Sequence, residues 1–89
     1  MQIEWQPEAR AELLQILEHI SDRHHAAAMK LFKGIEAATS KLTVHPCLYR
    51  SGRVAGTREI VVHPNYLVIY QVADHVRVLS VLHARQEYP

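Results

Sequence analysis

The hydrophobic period of this chain changes once, at Pro46, and that change limits what it can fold into. Ahead of it, Ala9, Leu13, Ile16, Leu17 and Ile20 recur at spacings of one, three and four, and Ala28, Leu31, Phe32, Ile35, Ala38 and Leu42 do so again. Each set makes one apolar stripe on a helical period, with Glu8, Arg10, Glu12 and Glu18 left for the outer face of the first. Pro7 suits a first helical turn, where a missing N–H costs nothing. Ser21-Asp22-Arg23-His24-His25 interrupts the pattern, and Pro46 stops the second helix. The two stripes therefore predict a helical hairpin. Gly34 costs a little helicity and allows close packing. Upstream, Ile3 and Trp5 alternate with polar neighbours as a short strand does.

Beyond Pro46 the period is two. Thr57 to Val62, Tyr66 to Val72 and Val76 to Leu82 are β-patterned runs, separated by His63-Pro64-Asn65 and Ala73-Asp74-His75. Connections this short predict an antiparallel meander. The middle run is apolar on both faces and belongs in the centre, with the helical hairpin over one side. Tyr66 and Tyr70 share a face and read as packing residues rather than base-stacking platforms. The predicted class is α+β: a short N-terminal strand, a helical hairpin and a three-stranded antiparallel C-terminal sheet, in one domain over residues 1–89.

Composition narrows the function. With 48% apolar residues, 21% charged and three glycines, the 89-residue chain has the makeup of a folded globule. A chain of this size buries only about 60–65% of its unfolded surface, so a stabilising partner would matter. No apolar stretch approaches the roughly 18 residues of a membrane span, and Met1-Gln-Ile-Glu-Trp5 lacks the order of a signal peptide, so a cytoplasmic protein is expected. Cys47, alone, makes no internal disulfide and reads as a small, partly buried residue. His19, His24, His25 and His63 form no zinc pattern, and there is no glycine-rich phosphate loop or nucleophile elbow. Neither metal nor cofactor is expected.

Net charge is only +1, short of what holds nucleic acid by electrostatics alone. Its distribution is more telling. Residues 46–89 carry Arg50, Arg53, Arg58, Arg77 and Arg85 and no lysine, against Glu59, Asp74 and Glu87. Arginine favours planar, hydrogen-bonded contact with carboxylate or phosphate. If the last strand keeps its period past Leu82, Arg77, His83 and Arg85 project to one face, imidazole beside guanidinium. Such a pair could act as general base and phosphate clamp. Structural roles compete: His83 bonding a strand end, Arg85 pairing with Glu87 or Glu59, Tyr88 packing against Trp5, or arginines as ordinary solvated strand charges.

Gly52-Arg53-Val54-Ala55-Gly56-Thr57-Arg58-Glu59, His63-Pro64-Asn65-Tyr66 and Leu82-His83-Ala84-Arg85-Gln86-Glu87-Tyr88-Pro89, in that order, resemble the ParE branch of the RelE/ParE toxin superfamily. The resemblance implies a strand, a helical hairpin and a C-terminal antiparallel sheet. It also implies the toxin of a type II toxin–antitoxin pair, with DNA gyrase the usual ParE target and a cognate antitoxin whose C-terminal segment wraps the toxin. RelE-branch members instead cleave messenger RNA in the ribosomal A site, usually with sheet lysines and arginines plus a C-terminal tyrosine. Here the sheet has no lysine, so that pattern is half present. The expectation is a gyrase inhibitor whose target-binding surface holds Arg58, Arg77, His83, Arg85 and Tyr88. The alternative is a ribosome-dependent endoribonuclease with the same five as catalytic candidates; a further one is a non-toxic homologue that only binds its partner. The antitoxin is expected to cover the groove between hairpin and sheet through apolar anchors.

Overall fold

The computed structural model describes residues 1–86. Strand β1 (Ile3–Trp5) leads into α1 (Pro7–Ser21), α2 (His25–Ser40) and a single 3₁₀ turn at Lys41–Thr43; β2 (Arg50–Ser51), β3 (Thr57–His63), β4 (Tyr66–Val72) and β5 (Val76–His83) follow. Pro7 opens α1 as its sequence position suggests. The break between the helices is tight: His24 N–H donates to Ile20 O at 2.7 Å, and the His24 Nδ1 accepts the Ala27 N–H at 3.2 Å. An imidazole thus takes the N-cap position usually held by Ser, Thr, Asp or Asn. The second apolar stripe outlasts its helix, because Leu42, fully buried, sits in the 3₁₀ turn.

The sheet has five strands in the order β1-β5-β4-β3-β2 and is mixed, which corrects the expected three-stranded antiparallel sheet. The meander β3-β4-β5 is present, with β4 at the centre. Added to it are β1, parallel to β5, and β2, antiparallel to β3. The connection from β1 through the helices lets that short strand return as an edge partner, as a parallel pairing requires. Two-residue β2 carries no period to read. It exists because Gly52 N–H donates to Thr57 O at 2.8 Å and Gly56 adopts φ 85°, closing the chain over Thr57. A side chain at Gly52 would collide with Thr57 Oγ1, and Gly56 occupies backbone space that other residues avoid.

Ala9, Leu13, Leu31, Ile35 and Leu42 pack on Ile60, Val68, Tyr70, Val76, Val78 and Val81, so both helices cover one face of the sheet. Tyr66 and Tyr70 both pack in this cluster, as expected from their shared face. Leu67, Ile69 and Leu82, with Ala84, form a second cluster. The segment before β2 is fixed at both sides: Tyr70 OH donates to its Pro46 O at 2.9 Å, and its Tyr49 OH donates to Ala38 O on α2 at 3.2 Å. Cys47 is exposed, not partly buried as expected; its segment is held by backbone oxygens and asks nothing of the thiol.

One irregularity matters most for function. Ile69 faces Ser80 while Tyr70 faces Val78, so Leu79 is an extra residue in β5. A bulge of this kind resets the alternation of side chains. It is clasped from above by α1: Glu12 Oε1 accepts from Ser80 Oγ at 2.7 Å and from Val81 N–H at 3.1 Å. Hydrogen bonds to an ionised acceptor are the stronger kind. Glu12→Ala should therefore lower unfolding free energy by about 2 kcal/mol. The check is the urea midpoint at unchanged slope; a loss under about 0.5 kcal/mol would show that the bulge holds without the clasp.

Candidate functional site

The residues singled out from the sequence lie in three places. Arg58, on β3, turns its Nη1 to Tyr49 O at 2.8 Å and Cys47 O at 3.3 Å. Tyr49 and Tyr70 meet edge to face beside it, ring centroids 6.3 Å apart. Its guanidinium thereby ties the segment before β2 to the sheet. Tyr88 falls outside the described residues, so its expected packing on Trp5 does too. Glu59, only 4% exposed, is held by Arg50 at 2.9 Å, so one of the two partners expected for Arg85 is already engaged; the other, Glu87, lies outside the described residues.

Arg77 and His83 are not neighbours on one face, contrary to the unbroken period assumed from sequence. The extra residue Leu79 lies between them. Before it, Val76 and Val78 face the helices, and Arg77, of opposite parity, stands across β1 from Glu4. After it, Val81 faces the helices and His83, in the same parity, lies opposite Tyr66. The bulge therefore sends the guanidinium and the imidazole to opposite faces of the sheet.

Around Arg77 the partners are acidic. His75 contacts Glu4 through Nε2 at 2.7 Å and Asp74 through Nδ1 at 2.8 Å, while Arg77 Nε lies 3.2 Å from His75 Nε2 and 3.8 Å from Glu4. A neutral His75 could accept from Arg77, but carboxylates on both nitrogens favour the imidazolium, which leaves Arg77 to Glu4. The hydrogen bond to Glu4 is the main cause that raises the His75 pKa above its ordinary value; burial opposes it, Asp74 adds to the rise, and the Arg77 charge opposes it last. The hydrogen bond from His75 in turn lowers Asp74. This cluster clamps β1 to the start of β5.

His83 and Arg85 occupy the opposite end of β5. The His83 ring meets Tyr66 edge-on at 5.5 Å, and the His63 ring lies tilted against the same Tyr66 at 5.6 Å. Each imidazole accepts a backbone N–H through Nδ1: His63 from Asn65 at 3.0 Å, His83 from Arg85 at 3.2 Å. In their neutral forms both rings then carry the proton on Nε2 and present a donor. Ala84 N–H to Asn65 O at 2.7 Å and Gln86 N–H to His83 O at 2.9 Å brace the tip. A cleft of about 470 Å³ opens here between α1 and the sheet, with Glu12, Gln15, His19, Tyr66, His83 and Gln86 on its walls. Sequence reading missed Tyr66, His63 and Glu12 as members, since only the bulge sets Tyr66 against His83.

Chemically this tip suits recognition better than proton transfer. The Glu12 carboxylate oxygen nearest the sheet is spent on Ser80 and Val81, and the His83 Nδ1 is occupied by a backbone donor. The cleft keeps the second Glu12 oxygen, the amides of Gln15 and Gln86 and the His19 ring on its walls, with an exposed Arg85 guanidinium next to His83 in sequence. Among the described residues no group of three or more His, Cys, Asp or Glu could hold a metal ion, and no helix is long and apolar enough to cross a membrane.

The family described as the ParE toxin of type II toxin–antitoxin systems, parDE, matches residues 3–88. The chain belongs to that family. A Sinorhizobium fredii protein, the candidate toxin Y4kP, is 32% identical over 88 residues, covering 98% of this chain and 92% of the other. Among solved structures, the chromosomal ParDE system from P. aeruginosa superposes with a TM-score of 0.80 at 19% identity, over 93% of this chain and 95% of that one. The E. coli DinJ–YafQ toxin–antitoxin complex gives 0.58 at 16% identity, over 92% and 90%. These likenesses carry the fold, including the five-stranded sheet of this ParE-family chain.

Two outcomes follow from the geometry. Arg58→Ala should cost about 2 kcal/mol by stripping two carbonyls of a charged donor, seen as a lower thermal midpoint; an unchanged midpoint would free Arg58 for a surface role. His75 is the pH-sensitive partner. Its pKa is raised on folding, so the clamp contributes fully below the unfolded value of about 6.5 and is lost as pH rises through the folded value. The wild-type urea midpoint should thus be higher at pH 6 than at pH 8, and His75→Gln should remove that difference.

Proposed function

We propose that this ParE-family toxin acts on DNA gyrase, and that a cognate antitoxin neutralises it by covering part of its surface. The observation that carries this reading is the match to the ParE toxin family over residues 3–88, almost the whole chain. The site supports it on chemical grounds. Cleaving RNA without a metal needs a base for the 2′-hydroxyl, cations on the phosphate and an acid for the leaving oxygen, gathered within hydrogen-bond reach. Here Arg58 is spent on carbonyls beside Tyr70, four residues along β4 from Tyr66, Arg77 is clamped to Glu4 and His75, and the bulge puts Arg77 on the face opposite His83. A poison of gyrase needs none of that convergence. It needs a surface that binds one conformer of the enzyme, the state with cleaved DNA, better than the others.

On this reading the target-binding surface is the tip with His83 and Arg85, extended by Tyr66 and His63, and Tyr88 follows in sequence. Arg58 and Arg77 serve the fold that presents it. Relatives whose solved structures are toxin–antitoxin complexes support a proteinaceous silencer for this chain as well. A small domain gains from such a partner directly, since binding only the folded state stabilises it by mass action. A cytoplasmic site of action fits a gyrase target.

The test is supercoiled plasmid, gyrase, ATP and purified toxin, followed by detergent and protease. Linear, protein-linked DNA should accumulate with wild type, and Arg85→Ala should reduce it at least about tenfold while still binding antitoxin, as expected for loss of one charged contact at an interface centre. Clean supercoiling by gyrase at an excess of a toxin that arrests growth would instead point to the ribosome, with His83 and Arg85 as the residues to test for cleavage.

A further inference from the structure

Three imidazoles around the tip are fixed by the same device. His24 Nδ1 accepts the Ala27 N–H at 3.2 Å, as His63 Nδ1 does that of Asn65 and His83 Nδ1 that of Arg85. With Nδ1 engaged, a neutral ring carries its proton on Nε2, and a charged one carries it there too. The outward nitrogen of each ring is therefore a donor in either state.

Two of the three, His24 ahead of α2 and His63 at the end of β3, line one cavity of about 590 Å³ between that helix and that strand. Lys30, exposed on α2, lines it with them and, among the described residues, has no ion pair or side-chain hydrogen bond. Ala26, Ala27, Leu31, Gly34 and Val62 complete the described lining, and they bring no acid, no side-chain acceptor and no aromatic ring. Other clefts differ in charge. Glu12 stands in the one at the tip, Glu18 in the hollow between the helices and Glu36 in the groove beside β1. The hollow near β2 has Arg58, already spent on carbonyls.

We infer that the cavity of His24, Lys30 and His63 seats a phosphate of the DNA backbone, so that the toxin touches the DNA held by its target as well as the target itself. The inference rests on the gyrase reading above and deepens it. A wall that offers three donors and no side-chain acceptor selects an anion, and a phosphodiester has oxygens for two imidazoles and an ammonium. Lys30 supplies the standing charge, as a compact point cation does at phosphate sites. With no ring for a base to stack on and no acceptor for its amino groups, the cavity meets the backbone and not the sequence. His63 fixes the place. Its ring also packs on Tyr66, so the cavity adjoins the tip, and a protein bound at His83 and Arg85 brings its DNA alongside. One lysine and two imidazoles hold DNA only weakly by themselves, in keeping with a net charge of +1.

The experiment titrates the purified toxin at low salt with a short DNA duplex and, separately, with inorganic phosphate, following the ring resonances of its seven histidines by NMR. On addition of duplex the His24 and His63 signals should move together with one binding constant, while His45, outside the cavity, stays still. Lys30→Gln, at an exposed position, should weaken duplex binding at least about fivefold and lower the slope of log affinity against log salt by about one. His24→Asn keeps a good N-cap but removes the Nε2 donor, so it should weaken binding at an unchanged thermal midpoint. Duplex that leaves both signals unmoved overturns the inference. Movement with phosphate but not with duplex overturns the DNA contact and leaves a small-anion site, and a tighter response to RNA of the same length overturns the choice of DNA. None of these results touches the gyrase reading, which falls instead if wild-type toxin yields no protein-linked DNA in the plasmid assay.

Discussion

A single carboxylate on α1 decides how the end of the sheet is built. Glu12 reaches down to the hydroxyl of Ser80 and the N–H of Val81, at the point where β5 carries one residue more than β4. An unpaired ladder group under a helix would be costly, and the carboxylate supplies the missing acceptor. Through that contact α1 locks the strand after the bulge into a register in which Val81 joins the core and His83 meets Tyr66. Without the extra residue, the same sequence would put His83 with Arg77 and turn Val81 out of the core. The core and the His83 side of the tip therefore depend on this bulge and one acid, while a second register shift, between Val61 and His63, sets His63 against Tyr66.

The division of the arginines follows. Those near β2 and at the start of β5 are consumed by the fold: Arg50 on buried Glu59, Arg58 on two carbonyls, Arg77 beside Glu4 and His75. Arg50 is a clear case of compensation, since Glu59 is almost fully buried and would be strongly destabilising without its guanidinium. Arg85 differs because its backbone N–H, not its side chain, makes the local bond. With a net charge of only +1 on the chain, the Arg85 guanidinium is exposed on a turn braced by Asn65 and His83. That arrangement favours short-range, shape-dependent recognition over long-range attraction.

Period carried most of the fold. The stripes from Ala9 to Ile20 and from Ala28 to Leu42 became α1, α2 and the 3₁₀ turn, and the three runs after Pro46 became β3, β4 and β5 to within a residue at their ends. Elements too short to show a period were illegible in different ways. β1 was visible as a strand, but its parallel partner was not, because pairing across more than 70 residues leaves no local trace. β2 was invisible; its cause lies in Gly52 and Gly56, which read as loop residues. The site was less legible than the fold for a sharper reason. Val-Arg-Val-Leu-Ser-Val-Leu-His scans as one unbroken run, and nothing within it marks Leu79 as extra. Counting by two through a bulge inverts every assignment beyond it. Glu12 gave no warning either, since an exposed helix carboxylate and a clasp on a distant strand look alike until the helix is docked.

The geometry of β5 also constrains how silencing can work. β1 pairs with Val76 to Val78, whereas the tip begins at His83, five residues further along. At roughly 3.3 Å per residue the two regions lie about 16 Å apart. A partner that covered only the β1 end of the sheet would therefore leave Arg85 exposed. Blocking the tip from that end asks either for a partner long enough to cross the helical hairpin or for enough bulk to keep a large molecule from approaching. The two ends of β5 share the core that supports them, but the clamp of Glu4, His75 and Arg77 and the trio of His63, Tyr66 and His83 have no side chain in common.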